Sequence, residues 1–156
     1  MSVFFGIALE SEIWMQSLPE NCASQNLPLI WEKLEKIAEE KELAKLSHFL
    51  IEDKELYEEA LEAIDEFYDP DHEVYRQAMQ EKLEDLAGQP EWFSPAEAGI
   101  AIRTMRGLIK HLRNNSDLFI QYGNEAGEAI IADLEGFASF LGKVESRNIR
   151  FSFWMQ

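Results

Sequence analysis

A mostly α-helical domain, closed by a small sheet made from its own two terminal segments, is the fold the sequence predicts. Three observations carry it. Apolar residues recur at three- and four-residue spacing through most of residues 28–146. Alternation with period two is confined to the first nine and last eight residues. A content of 46% hydrophobic and 12% aromatic residues supplies enough apolar surface for a core. At 156 residues the chain has the common size of one domain and would bury roughly 70% of its unfolded surface. No repeat, low-complexity tract or linker divides it, so one helical domain over residues 1–156 is expected, with five to six helices and a two-stranded sheet.

The elements follow in chain order. Phe5, Ile7 and Leu9 alternate on one side of a β-prone start. Residues 10–27 hold Pro19, Asn21, Ser24 and Asn26 and no sustained period, which reads as irregular chain with one turn around residues 13–17. Pro28 suits a first helical turn, and Ile30, Trp31, Leu34, Ile37 and Ala38 then form a stripe ending near Lys41. A shorter helix is expected over residues 43–51, from Leu43, Leu46, Phe49 and Leu50. Leu56, Tyr57, Ala60, Leu61, Ile64, Phe67 and Tyr68 make the clearest amphipathic helix, its other face almost wholly acidic. Asp69 before Pro70 caps a further helix, which runs through Val74, Tyr75, Ala78, Met79, Leu83 and Leu86 to Gly88.

Ser94, Pro95, Ala96 and Glu97 spell a capping box, in which hydroxyl and carboxylate each satisfy an orphan amide at a helix start. The stripe behind it runs from Ala98 to Leu112, and a last long helix covers about residues 125–146. Ile149, Phe151, Phe153 and Met155 then alternate with Arg150, Ser152 and Trp154, a half-buried strand. An isolated strand leaves backbone groups unpaired, so the two terminal strands are expected to pair with each other.

Charge narrows the function. The formal net charge is −16, which disfavours nucleic acid and anionic lipid, because phosphates are bound by Lys and Arg that displace counterions. Residues 32–91 carry 20 acidic and 7 basic groups, whereas residues 92–156 carry 7 of each, so two surfaces of unlike character are expected. One cysteine, Cys22, forms no internal disulfide and no metal-ligand pair, which places the chain by expectation in a reducing cytoplasm. Residues 3–9 have no preceding Lys or Arg and are short for a secretory signal. No apolar run approaches the roughly 20 residues that span a bilayer.

Several constellations invite chemistry. Arg103, Arg106, Lys110 and Arg113 recur at three, four and three residues, within an arc of about 80° on one helix, a ridge suited to gripping a carboxylate or phosphate. Their bland alternative is pairing with neighbouring carboxylates. Asp133 falls on the apolar stripe of the last helix among Ala126, Ala129, Ile130, Phe137, Phe140, Leu141 and Val144. A buried carboxylate must find a charge or several donors, so Asp133 is expected to pair with Arg103 or Arg106. Glu55, Glu58, Glu59, Glu62, Asp65, Glu66 and Asp69 crowd one helix, where like charges at four-residue spacing repel by a few tenths of a kcal/mol each. A basic partner would relieve that repulsion; plain solvation is the alternative. Trp154 is expected to turn away from the face bearing Phe151 and Phe153, towards solvent, a helix or another subunit, where it could anchor an interface.

Other chemistries lack their spacing. Asp69, Asp71, His72 and Glu73 suit a cation by type, but an EF-hand would need glycine and a bidentate acid where Val74 and Gln80 stand. Cys22, His48, His72 and His111 sit in no nucleophile motif. Gly99, Gly107, Gly123, Gly127, Gly136 and Gly142 open no helix after a strand, so no phosphate loop and no cofactor are expected; Gly99, Gly107 and Gly136 read instead as close helix contacts. The leading expectation is a non-enzymatic protein-binding module of inhibitor, immunity or regulatory type, presenting its acidic helix to a basic protein. Its rivals are a small enzyme or ligand-binding domain with an anion pocket near Arg103, Arg106 and Asp133, and a structural oligomer built on Trp154 and the sheet edge.

Overall fold

Alternation at the two terminal segments produces a sheet, as the sequence predicts. The computed structural model describes residues 3–10, 23–51, 54–67, 69–88, 92–115, 117 and 124–155. Strand β1 (Phe5–Leu9) runs antiparallel to a two-residue strand β2 (Ala23–Ser24) on one edge and to β3 (Phe151–Met155) on the other, giving the order β2-β1-β3. Phe5 lies opposite Met155, and Leu9 opposite Phe151. The sheet is therefore three-stranded; β2 is too short to carry any period. Arg150 clamps the start of β3 to the end of β1 by donating to both carboxylate oxygens of Glu10. The guanidinium's hydrogen bond holds the Glu10 carboxyl below its ordinary range. The expected turn at residues 13–17, together with Trp14 and Cys22, lies outside the described residues.

Among the described residues the helices are α1 (Asn26–Leu29), α2 (Trp31–Glu40), α3 (Lys54–Glu66), α4 (Glu73–Ala87), α5 (Pro95–Asn114) and α6 (Asn124–Ser146). The helix expected over residues 43–51 is only a 3₁₀ turn, Leu46–Phe49, with extended residues on both sides. Buried Leu46 and Phe49 are three residues apart, which one 3₁₀ turn satisfies, and Leu50 is drawn into a parallel bridge with Phe153. At Pro70–His72 a 3₁₀ turn precedes α4, and Asp69 accepts the amide of Asp71 at 3.0 Å as the expected cap. The capping box at α5 is formed, with Glu97 accepting the Ser94 amide at 3.0 Å.

Two helices end in the same way. Behind α2 the amides of Glu42 and Leu43 donate back to Glu39 (3.2 Å) and Ala38 (2.8 Å), and behind α6 those of Asn148 and Ile149 donate to Glu145 and Val144, both at 3.2 Å. These are Schellman closures. Each turns on a left-handed residue, Glu42 at φ 57° and Asn148 at φ 59°.

Contacts group the chain into two compact units, residues 1–50 with 92–156, and residues 51–91. In the first, α5 and α6 pack along each other, burying Met105, Leu108, Leu112, Leu134 and Leu141. Aromatic rings from the sheet and the segments packed on it close this core: Phe5 meets Phe137 and Phe153, each at 5.1 Å, and Phe49 meets Phe93 at 5.3 Å. Each such fully buried ring contributes about 1.5–3 kcal/mol. Thr104, itself buried, donates to the Ala44 carbonyl at 2.7 Å and ties α5 to the segment after α2. Gly107 admits Leu43, whose Cδ1 would lie 2.5 Å from an added Cβ. Gly99 approaches only the Glu145 carboxylate, and Gly136 meets nothing within 4 Å, so close packing explains Gly107 and leaves Gly136 without a packing reason.

The second unit is a helical hairpin of α3 and α4. Arg76 joins the two helices through Asp65, Nε to Oδ1 at 2.6 Å, and also lies 3.8 Å from Glu73. Among the described residues here only Leu86 is buried. The apolar face of α3 that sequence periodicity assigns to a core is instead open in part: Leu56 is 62% exposed and Phe67 74%.

Candidate functional site

The hairpin gathers the acidic side chains singled out in the sequence. All seven, Glu55, Glu58, Glu59, Glu62, Asp65, Glu66 and Asp69, are exposed. Asp65 holds Arg76, and Asp69 caps the turn before α4. The remainder lie along α3 at helical spacing. Residues 51–91 contain 15 acidic and 3 basic groups, so their field is strongly negative.

Beside the acids runs an apolar stripe. Leu56, Ala60, Ala63 and Phe67 follow one another at four, three and four residues, and the Phe67 amide still donates helically to Ala63 at 3.2 Å. Ala63 is exposed like Leu56 and Phe67, and Ala60 is half-buried. Glu55, Glu59, Glu62 and Glu66 repeat the same spacing one residue earlier, about 100° round the helix. Val74 and Tyr75, at 80% and 58% exposure, add two further open apolar side chains at the start of α4.

A second feature lies between α5 and α6. Arg106, Lys110 and Arg113 line one open cleft of about 580 Å³ with Ile109, Asn114, Glu135, Ala138 and Ser139. Arg113 is paired with Glu135 across it. Arg103, the fourth member of the ridge, is exposed one turn earlier and does not line the cleft. The chain matches no family model, no curated protein and no solved structure.

Asp133 takes different partners from those expected. It is half-buried on α6, and its Oδ2 accepts the Ser24 hydroxyl at 2.5 Å and the Asn26 side-chain amide at 3.1 Å. Among the described residues neither Arg103 nor Arg106 is seen to bond it: both lie on an exposed face of α5, while position 133 faces the turn from β2 into α1. Ser24 in turn accepts the amides of Asn26 and Leu27, both at 3.2 Å, so one hydroxyl starts α1 and fastens it to α6. The principle that a sheltered carboxylate needs donors holds; neutral donors meet it.

Trp154 does turn away from the Phe151 and Phe153 face, and it lies across Gly6, its cross-strand partner. A Cβ at position 6 would sit 2.3 Å from the ring. The indole is half-buried within the first unit and so covers its own sheet. Among the described residues no group of three His, Cys, Asp or Glu could hold a metal ion, and no buried side-chain polar atom lacks a partner. No helix among them is long and apolar enough to cross a membrane. The open stripe on α3 is what sequence reading missed, because periodicity shows that a face is apolar and is blind to whether anything covers it.

Proposed function

We propose that the protein is a non-enzymatic binding module whose α3–α4 hairpin docks a basic protein partner. The observation that carries this is the adjacency on α3 of an apolar stripe, open at Leu56, Ala63 and Phe67, and a row of exposed carboxylates. Apolar contact supplies affinity, and the negative field steers and selects a cationic surface. Mutual repulsion among the glutamates, a standing cost in the free protein, is relieved on binding. An inhibitor, immunity or regulatory role fits such a surface.

The test is binding of cationic proteins to the intact chain against a variant with Glu58, Glu59, Glu62 and Glu66 all changed to Gln. Raising ionic strength from about 0.01 M to about 0.15 M shortens the screening length from about 30 Å to about 8 Å. Binding that weakens with salt in the wild type, and is lost in the variant, is expected. Equal binding by both proteins would contradict the proposal.

A second reading has one specific observation in its favour. Arg106, Lys110 and Arg113 share a cleft with the polar Ser139 and Asn114, which suits a carboxylate or phosphate ligand. Glu135 already occupies Arg113, which leaves that cleft weaker as an anion site than its charge count implies.

A further inference from the structure

We infer that the partner presents a basic amphipathic helix, laid along α3 in the manner of a two-stranded coiled coil; this rests on the basic-partner reading above and specifies it. The spacing of Leu56, Ala60, Ala63 and Phe67 is that of the inward positions of a heptad repeat, and about 16 Å of helix separates its ends. Large side chains stand at the two ends, 62% and 74% exposed, and two alanines lie between them. An apolar side chain of a second helix fits over the alanines, held between Leu56 and Phe67. In the same repeat Glu59 and Glu66 flank the seam, where coiled coils place the charges that choose a partner. Lys or Arg at the facing positions completes the contact.

Charge decides between occupants. A second copy of this chain would set one acidic segment, residues 51–91 with 15 acidic and 3 basic groups, against another, and an anionic lipid surface would be repelled in the same way. A cationic helix is the occupant that both the stripe and its flank favour. An unfolded cationic segment would use the glutamates and leave the stripe idle.

The experiment uses the full chain and two probes, each about 18 residues long. One is a labelled helical peptide with leucines at alternating four- and three-residue spacing and a lysine beside each. The other is oligolysine of equal charge. Fluorescence anisotropy is read for the wild type, for Leu56→Ser with Phe67→Ser, and for Glu59→Gln with Glu66→Gln. The helical peptide is expected to bind, and to lose about tenfold or more in affinity with either double variant. Thermal melting of the serine variant is expected to match the wild type. If only the glutamine variant weakens binding, and oligolysine binds as tightly as the helix, the helical mode is overturned while the basic-partner reading survives. If neither cationic probe binds, both fall. A serine variant that unfolds, or that dissolves a wild-type dimer seen by sedimentation, would show the stripe to be covered by the protein itself and would also overturn the inference.

Discussion

Ser24 shows how much can rest on one small side chain. Ser24 is buried, and its hydroxyl donates to Asp133 and accepts two amides, so β2, α1 and α6 meet at it. Asp133→Ala leaves that hydroxyl without its acceptor and should cost about 1–3 kcal/mol in denaturant unfolding, with Ser24→Ala similar and the two effects strongly non-additive. An unchanged midpoint for Asp133→Ala would refute this reading. Glu42 is a different case, a residue with a side chain in the left-handed conformation that favours glycine. Glu42→Gly should raise stability by about 0.5–1 kcal/mol, read as a higher melting temperature, because it relieves that strain without disturbing the closure of α2. Gly6 runs the other way. An added methyl would strike the Trp154 ring, so Gly6→Ala should lose about 1–3 kcal/mol and diminish the near-ultraviolet circular dichroism of that indole.

At the scale of elements, the stops and starts were the most legible features. Ser94 and Glu97 announce α5, Asp69 and Pro70 announce the turn into α4, and the stripe from Ile30 to Ala38 gives α2. Local chemistry sets these, and local chemistry is what a sequence displays. Strand β2 and the 3₁₀ turn at Leu46–Phe49 were not legible, being set by what they touch: two residues beside β1, and a phenylalanine driven into the ring cluster of the sheet. The Asp133 network was half legible, since the wheel shows that the carboxylate needs donors but not that residues 107 and 109 positions earlier in the chain would supply them. Stripes separate by the same logic. Leu108 is fully buried on α5 and Leu56 is open on α3, so Leu108→Ala should cost about 2–5 kcal/mol and Leu56→Ala no more than about 0.5 kcal/mol in the same unfolding assay. A large loss from Leu56→Ala would mean that the α3 stripe belongs to a core.

Taken whole, the molecule divides its chemistry between two units. Residues 1–50 and 92–156 hold the sheet, the aromatic cluster and nearly all the buried apolar residues. Residues 51–91 hold half of the chain's 30 acidic groups and, among the described residues, most of the large exposed apolar side chains. The sequence shows the uneven charge at once; it does not show that the acidic segment leaves Leu56, Phe67, Val74 and Tyr75 uncovered, because burial is a property of neighbours and not of periodicity. Hydrogen exchange of the full chain, with and without a bound basic amphipathic peptide, bears most directly on that division. Slowed exchange confined to residues 55–67 is expected. Slowed exchange around Arg106, Lys110 and Arg113 instead, with α3 unchanged, would contradict it and move the binding surface to the cleft between α5 and α6.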